Sequence, residues 1–173
     1  MSLAGEGGYD AVQMREVAAT ADVALGTLYR YFPSKEHLLA SAMVEQVRGL
    51  RLRLDEHPPE GTSAAERVVD VLQRATRALQ RNPNATAAMI RATVSAEPSM
   101  APVVAQSRRE MSEIITSAIH RGSPSERDLV VSRILEYMWL ASLASWVNGL
   151  DRPGQVVDDL SAAARLLLDG QQA

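Results

Sequence analysis

An all-α fold follows from three observations on the 173-residue sequence. Apolar residues recur at the i, i+3, i+4 spacing of one helix face in segment after segment, and no segment shows the alternation of a strand. Most segments open on a capping side chain or a proline and close on glycine, proline or a polar loop. Near the N-terminus two segments are short and separated only by Asp22-Val23-Ala24, which predicts two helices joined by a tight turn. The longer segments that follow predict a helical bundle.

Composition bounds what such a chain does. Hydrophobic residues make up 46% of it, so it carries enough apolar material to bury a core. It has no cysteine, which excludes disulfides and thiol chemistry. No apolar run reaches the length of a membrane span and no signal peptide is visible, so a soluble, cytoplasmic protein is expected. The histidines, His37, His57 and His120, are too scattered for a metal set, and no GxSxG or phosphate-cradling loop is present. An enzyme, a metal site and a cofactor are therefore not expected. The net charge of −3 argues against a strongly basic nucleic-acid binder. Local placement matters more than the sum, because screening limits each exposed charge to about 10 Å. Arg15, Arg30 and Lys35 cluster in the two-helix segment.

In order along the chain, Met1 to Gly8 contains Gly5, Gly7 and Gly8, which is too permissive for a stable helix and suggests a truncated start. Gln13 to Ala21 predicts the first short helix, with Val17 and Ala18 inward. Asp22 stands where the turn needs a left-handed residue, which Asp tolerates better than most. Val23 is expected to plug the corner. Leu25 to Phe32 predicts the second helix, Leu28 and Phe32 facing in and Thr27, Tyr29, Arg30 and Tyr31 facing out. Ala24 supplies no hydroxyl cap to it, a cost of about 0.5–2 kcal/mol. Pro33 ends that helix, and Ser34 caps a long one to about Glu56.

A loop at His57-Pro58-Pro59-Glu60-Gly61 is followed by a capping box at Ser63 and Glu66 and a helix to about Arg81. Asn82-Pro83 opens a short helix to about Ala96. The next helix runs through Val103, Met111, Ile114 and Ile115 to Arg121-Gly122. Ser123-Pro124-Ser125-Glu126 predicts another capping box, and the helix after it is apolar nearly all round from Ile134 to Val147, which predicts burial on more than one side. The last helix runs from about Pro153 to Asp169. The two final helices carry more apolar surface than one small bundle hides, so a homodimer through them is expected.

The stretch Gly26-Thr27-Leu28-Tyr29-Arg30-Tyr31-Phe32-Pro33-Ser34-Lys35-Glu36-His37-Leu38-Leu39 resembles the N-terminal domain of the TetR family of transcriptional regulators. In that family the pattern Gly-Thr-Leu-Tyr-x-x-Phe-x-Ser-Lys-Glu-x-Leu-Leu spans the recognition helix and the start of the next. The resemblance implies a helix-turn-helix DNA-binding head, residues 1–45, with its first helix truncated or missing, and a helical ligand-binding and dimerisation body, residues 46–173. It implies a ligand-responsive regulator, usually a repressor, that binds a palindromic operator as a dimer. Carried over by position, Gln13 and Arg15 would touch phosphates or groove edges. Leu25, Gly26, Thr27 and Tyr29 would approach bases or sugar-phosphate, Arg30 could take either role, and Tyr31 and Lys35 would hold phosphates.

Gly8 to Arg15, Gln80-Arg81-Asn82-Pro83 and Met138-Trp139-Leu140 resemble the steroid-catabolism repressors of that family, which implies a sterol-derived acyl-CoA thioester as effector. Pocket candidates in the body are Met89, Met111, Ile115, Tyr137, Met138 and Leu140, since methionine adapts to irregular apolar ligands. Arg91 or Arg108 would face a carboxylate or CoA phosphate at the mouth. The alternative reading of the residues is a helical small-molecule- or partner-binding protein without DNA function.

Overall fold

The structure, a computed structural model, describes residues 2–95 and 97–169. The suggested truncation at Met1 and the expected helix end at Ala96 lie outside these residues. Among the described residues every regular element is helical: α1 (Ser2–Ala11), α2 (Met14–Thr20), α3 (Leu25–Tyr31), α4 (Lys35–Glu56), α5 (Ala64–Gln80), α6 (Pro83–Thr93), a 3-10 turn (Pro98–Met100), α7 (Ala101–Ile119), α8 (Glu126–Val147) and α9 (Pro153–Leu168).

The glycine-rich start is helical, against the expectation from its composition. Packing explains why. α1 lies along α6, and Ala4, Ala85, Ala88 and Ala92 are all buried in the seam between them. A Cβ on Gly5 would come within 2.3 Å of the Asn82 side chain, so the missing side chain is what lets the two helices close up. Asn84 Nδ2 then donates to Gly5 O at 3.0 Å. Gly8 breaks the helix with φ 68 and ψ −156, a conformation that glycine adopts without steric cost. Tertiary contact here outweighs a low local helix propensity.

Several caps form as the sequence predicts. Ser34 Oγ accepts from His37 N at 3.1 Å, Asn82 Oδ1 from Ala85 N at 3.1 Å, and Ser63 with Glu66 makes a reciprocal capping box. The box before α8 is shifted by two residues. Ser125 and Asp128 form it, with Ser125 as the cap and Pro124 outside the helix. Asp at the third helical position reaches back to the cap backbone as Glu does, so the Ser123–Glu126 pair was the wrong register of the same signal. At the other end of α7 the Arg67 guanidinium donates to the terminal carbonyls of Ala118 (2.9 Å) and Ile119 (2.8 Å), where a cation also suits the helix dipole.

The core of the body draws on α4 to α9, with Leu50, Leu72, Met89, Ile115, Leu135, Leu143 and Leu160 fully buried. Trp139 Nε1 donates to Thr76 Oγ1 at 2.9 Å, so the indole is buried without an orphaned donor. α8 is buried on one face, through Val131, Leu135, Trp139, Leu143 and Trp146. Val130, Ile134, Tyr137 and Ala141 lie exposed on the other at helical spacing. α4 runs without interruption from the head into the body, past residue 45.

Candidate functional site

The head is built so that α3 is held from one side only. Leu28 is buried with Met14 and Ala18, and Val17, Leu25, Phe32 and Leu38 pack around them. Asp22 takes φ 52, the left-handed turn conformation, and Val23 N donates to Ala18 O at 3.0 Å to close the turn. Val23 itself is 40% exposed and plugs nothing: the backbone bond, with Leu28 behind it, closes the corner. Ala24, the residue before α3, gives it no side-chain cap.

The outward face of α3 carries Gly26, Tyr29, Arg30 and Tyr31, all exposed, with Leu25 and Thr27 half-buried beside them. Gln13 and Arg15, at the start of α2, are exposed on the same unit. Tyr29 and Tyr31 are 46% and 63% exposed, and the Arg30 guanidinium lies 5.2 Å from the Tyr31 ring centre. A Cβ on Gly26 would meet no atom within 4 Å, so nothing inside the protein requires glycine there.

Lys35 is the exception to the outward pattern. Its Nζ donates to Tyr9 O at 3.2 Å and sits 4.0 Å from the Tyr9 ring centre. The Arg91 guanidinium lies 3.9 Å from the same ring centre, and its Nη1 is 3.8 Å from Asp10 Oδ1. Tyr9 thus stacks with two cations, one from the start of α4 and one from α6, and its hydroxyl donates to Glu36. Burial, with the Glu36 carboxylate beside it, pushes the Tyr9 hydroxyl up to about 12, so it stays a donor across the ordinary pH range. The same bond holds Glu36 below the usual carboxylate range. By sequence, Lys35 is expected at a phosphate and Arg91 at the mouth of an effector pocket. The structure places both at the junction between head and body.

A cavity of about 220 Å³ lies in the body between α4, α6, α7 and α8. Met111, Tyr137 and Leu140, three of the pocket candidates, line it, and Arg108 stands there too, 4.6 Å over the Tyr137 ring. Met89 and Ile115 do not line it. They are sealed in the core at 2% and 0% exposure. Met138 packs against the core, half-buried, from the neighbouring position on α8. Arg91 points to Tyr9. Sequence reasoning missed Met43, Val47, Trp139 and Leu143, which are core positions on one side and cavity wall on the other. It also missed Glu136, whose carboxylate faces the cavity beside Arg108, Oε2 to Nε 3.8 Å. An acidic residue one position from Tyr137 in an apolar helix was the available signal. A larger opening, about 400 Å³, lies in the head between α1, α2 and α4. Its walls are aliphatic apart from Phe32, Thr20, Ser41 and Glu45, and they converge no set of polar groups.

α4 bounds the body cavity on one side and carries the head on the other. It is tied to α7 by Arg48 Nε to Glu110 Oε1 at 3.3 Å and by Arg51 Nη2 to Glu113 Oε2 at 2.8 Å. Anything that alters the spacing of α7 and α4 therefore bears on the helix that holds α3. Among the described residues no group of acidic or histidine side chains could hold a metal ion, and no helix is long and apolar enough to cross a membrane.

Comparison with known proteins agrees with this architecture. Residues 1–42 match the family described as bacterial regulatory proteins, tetR family, and residues 61–167 the family described as tetracyclin repressor-like, C-terminal domain. The chain is 42% identical to the HTH-type transcriptional repressor KstR of Rhodococcus jostii, over 99% of this chain and 81% of that protein. It is 39% identical to KstR of Mycobacterium tuberculosis, over 100% of this chain and 79% of that one. Among solved structures it is similar to a TetR transcriptional regulator from Rhodococcus sp. RHA1, with TM-score 0.89, 37% identity, and 99% and 92% of the two chains covered. The fold is shared with Thermus thermophilus FadR, a repressor solved in complex with lauroyl-CoA, at TM-score 0.76 and 22% identity over 100% of this chain and 91% of that one. These relatives are transcriptional regulators rather than enzymes, and the chain belongs to the TetR family of bacterial regulatory proteins.

Proposed function

We propose that the chain is a ligand-responsive repressor that binds a palindromic operator as a homodimer in the cytoplasm and is released by a hydrophobic effector, an acyl-CoA thioester. The observation that carries the reading is the outward face of α3. It presents Gly26, Tyr29, Arg30 and Tyr31 on a helix whose other face is buried, and none of these four has a packing role that accounts for it. Leu25, Thr27, Gln13 and Arg15 flank the same face. A missing Cβ at 26 lets a nucleic-acid backbone approach closely, while the tyrosine hydroxyls and arginines reach phosphates and base edges. Lys35 contributes through the Tyr9 junction and so sets where α3 stands.

The dimer reading is supported by exposed apolar side chains on the last two helices, Val130, Ile134 and Tyr137 on α8 and Leu166, 78% exposed, on α9. Pairing two heads would set α3 and its mate about 34–36 Å apart, one turn of DNA. The effector reading is supported by the apolar cavity and by FadR's lauroyl-CoA complex. The likeness to steroid-catabolism repressors favours a sterol-derived acyl group. At 220 Å³ the cavity is smaller than the roughly 300–1,000 Å³ of small-molecule sites, so a large effector has to widen it. Widening separates α7 from α4, and an effector that binds the widened state better shifts the population toward heads wrongly spaced for DNA.

The test is a fluorescence-anisotropy titration on operator DNA. Tyr29→Ala should weaken binding at least about tenfold with no change in thermal midpoint. Gly26→Ala should weaken binding while raising helix stability by about 0.5–1 kcal/mol, since glycine inside a helix costs that much relative to alanine. Unchanged affinity in both variants would defeat the assignment of α3 as the reading helix. Absence of any sequence preference at low salt would defeat the regulator reading as a whole.

A further inference from the structure

We propose that Glu136 selects the effector, accepting a hydrogen bond from a hydroxyl group carried on an otherwise apolar ligand in the α4–α6–α7–α8 cavity. This rests on the reading of that cavity as the effector site. The Glu136 side chain is only 10% exposed. Oε1 accepts from Ser132 Oγ at 3.0 Å, and Ser132 Oγ also lies 3.0 Å from Ser112 Oγ, so its single proton goes to the carboxylate and Ser112 supports it from behind. Oε2 has the Arg108 guanidinium at 3.8 Å, beyond hydrogen-bond distance, and no hydrogen bond among the described residues. A carboxylate takes about four hydrogen bonds when ionised. This one has a single close donor, and the cavity walls are mostly apolar, with Val47, Met111, Leu140 and Leu143 beside the hydroxyl-bearing Thr93 and Ser107.

An acidic side chain in such surroundings is costly unless something satisfies it. Burial pushes its carboxyl above the usual range, in accord with that cost. Arg108, the ion-pair partner of Oε2 at 3.8 Å, also stacks over Tyr137, and it leaves Oε2 without a hydrogen bond. A ligand hydroxyl reaching Oε2 supplies the missing donor. An unsubstituted hydrocarbon leaves Oε2 without a hydrogen-bond donor, with only the Arg108 guanidinium at 3.8 Å. Sites that hydrogen-bond a ligand hydroxyl reject analogues lacking it far more strongly than apolar pockets reject a changed methylene.

Matched rigid bicyclic probes separate the possibilities, because they are small enough for the cavity as it stands: decalin, 2-decalol and 2-decalone. Binding is read by isothermal titration calorimetry on the full chain, and by quenching of Trp139, which lines the cavity, in a Trp146→Phe background. The wild type should bind 2-decalol at least about tenfold more tightly than decalin or 2-decalone. Glu136→Leu should bring the alcohol and the hydrocarbon within about twofold of each other, with decalin binding retained as evidence of an intact cavity. Equal binding of 2-decalol and decalin by the wild type, or a hydroxyl preference that survives Glu136→Leu, would overturn the proposal and leave the cavity reading standing. Binding of 2-decalone as tight as that of 2-decalol would place a donor, Arg108, Ser107 or Thr93, at the ligand oxygen and overturn it likewise. No binding of any probe, with no change in Trp139 emission, would overturn the cavity reading and this proposal with it.

Discussion

The head and the body put chemistry on opposite sides of their helices. In the head, α3 buries Leu28 and turns Gly26, Tyr29, Arg30 and Tyr31 outward, so the groups proposed to read DNA come from one short run of sequence. In the body the groups proposed to meet an effector face inward and come from four helices, with Met43 and Val47 on α4, Thr93 on α6, Arg108 and Met111 on α7, and Glu136 and Leu140 on α8. An outward surface is free to vary without disturbing the fold. An inward one is also part of the core, so every choice there trades stability against recognition. Tyr9 stands between the two regimes, stacked between a cation of α4 and a cation of α6.

Substitutions at three positions probe that contrast. The largest effect should come from the cavity wall that is also core. Leu143 is 1% exposed, so Leu143→Ala should lower stability by about 2–5 kcal/mol in chemical denaturation, with no direct effect on operator contacts. A loss below about 1 kcal/mol would mean that the wall is not part of the core.

An intermediate effect is expected at the junction. Tyr9→Ala removes a ring stacked with two cations and a hydrogen bond to Glu36, and should cost about 1–3 kcal/mol and weaken operator binding through misplacement of α3. Tyr9→Phe keeps the ring and should retain most of the stability, losing about 1 kcal/mol with the hydroxyl. If Tyr9→Ala leaves operator affinity at the wild-type value, the junction does not position the head.

The smallest effect concerns Glu136 and pH. Its carboxyl is raised, chiefly by burial, with Ser132 and Arg108 partly offsetting the rise. For a raised acid the folded state holds its proton more tightly than the unfolded state, so the group is harmless below the unfolded value, destabilises increasingly as pH rises from the unfolded to the folded value, and costs the full amount above it. Glu136→Gln should therefore raise the thermal midpoint modestly at pH 7–8, and the gain should shrink as pH falls through the carboxylate range. A gain that is constant with pH would show that the carboxylate is not desolvated in the folded protein.

Legibility followed the same division. The turn, the recognition helix and the caps at Ser34, Ser63 and Asn82 could be read because each is a local rule, in which residues a few positions apart satisfy one another's backbone groups. The cavity could be read only in part. Met111, Tyr137 and Leu140 were found by residue type, but type does not separate them from Met89 and Ile115, which face the sealed core. Glu136 was overlooked because a single acid on a helix usually faces water, and only the packing of α7 against α8 encloses it.

The sequence by itself determined that the chain is all-helical, where most of its helices begin, and that residues 13–39 form a helix-turn-helix of TetR type. The helices and their starts rest on propensity, capping and periodicity, which act over a few residues, and the TetR type rests on the resemblance of residues 26–39 to that family. Tertiary structure alone decided that the glycine-rich start is a helix, because Gly5 allows α1 to lie against α6. It also turned Lys35 and Arg91 toward Tyr9 and set Glu136 in an apolar cavity. These outcomes depend on which helix faces which across the bundle, and no spacing along one segment carries that information.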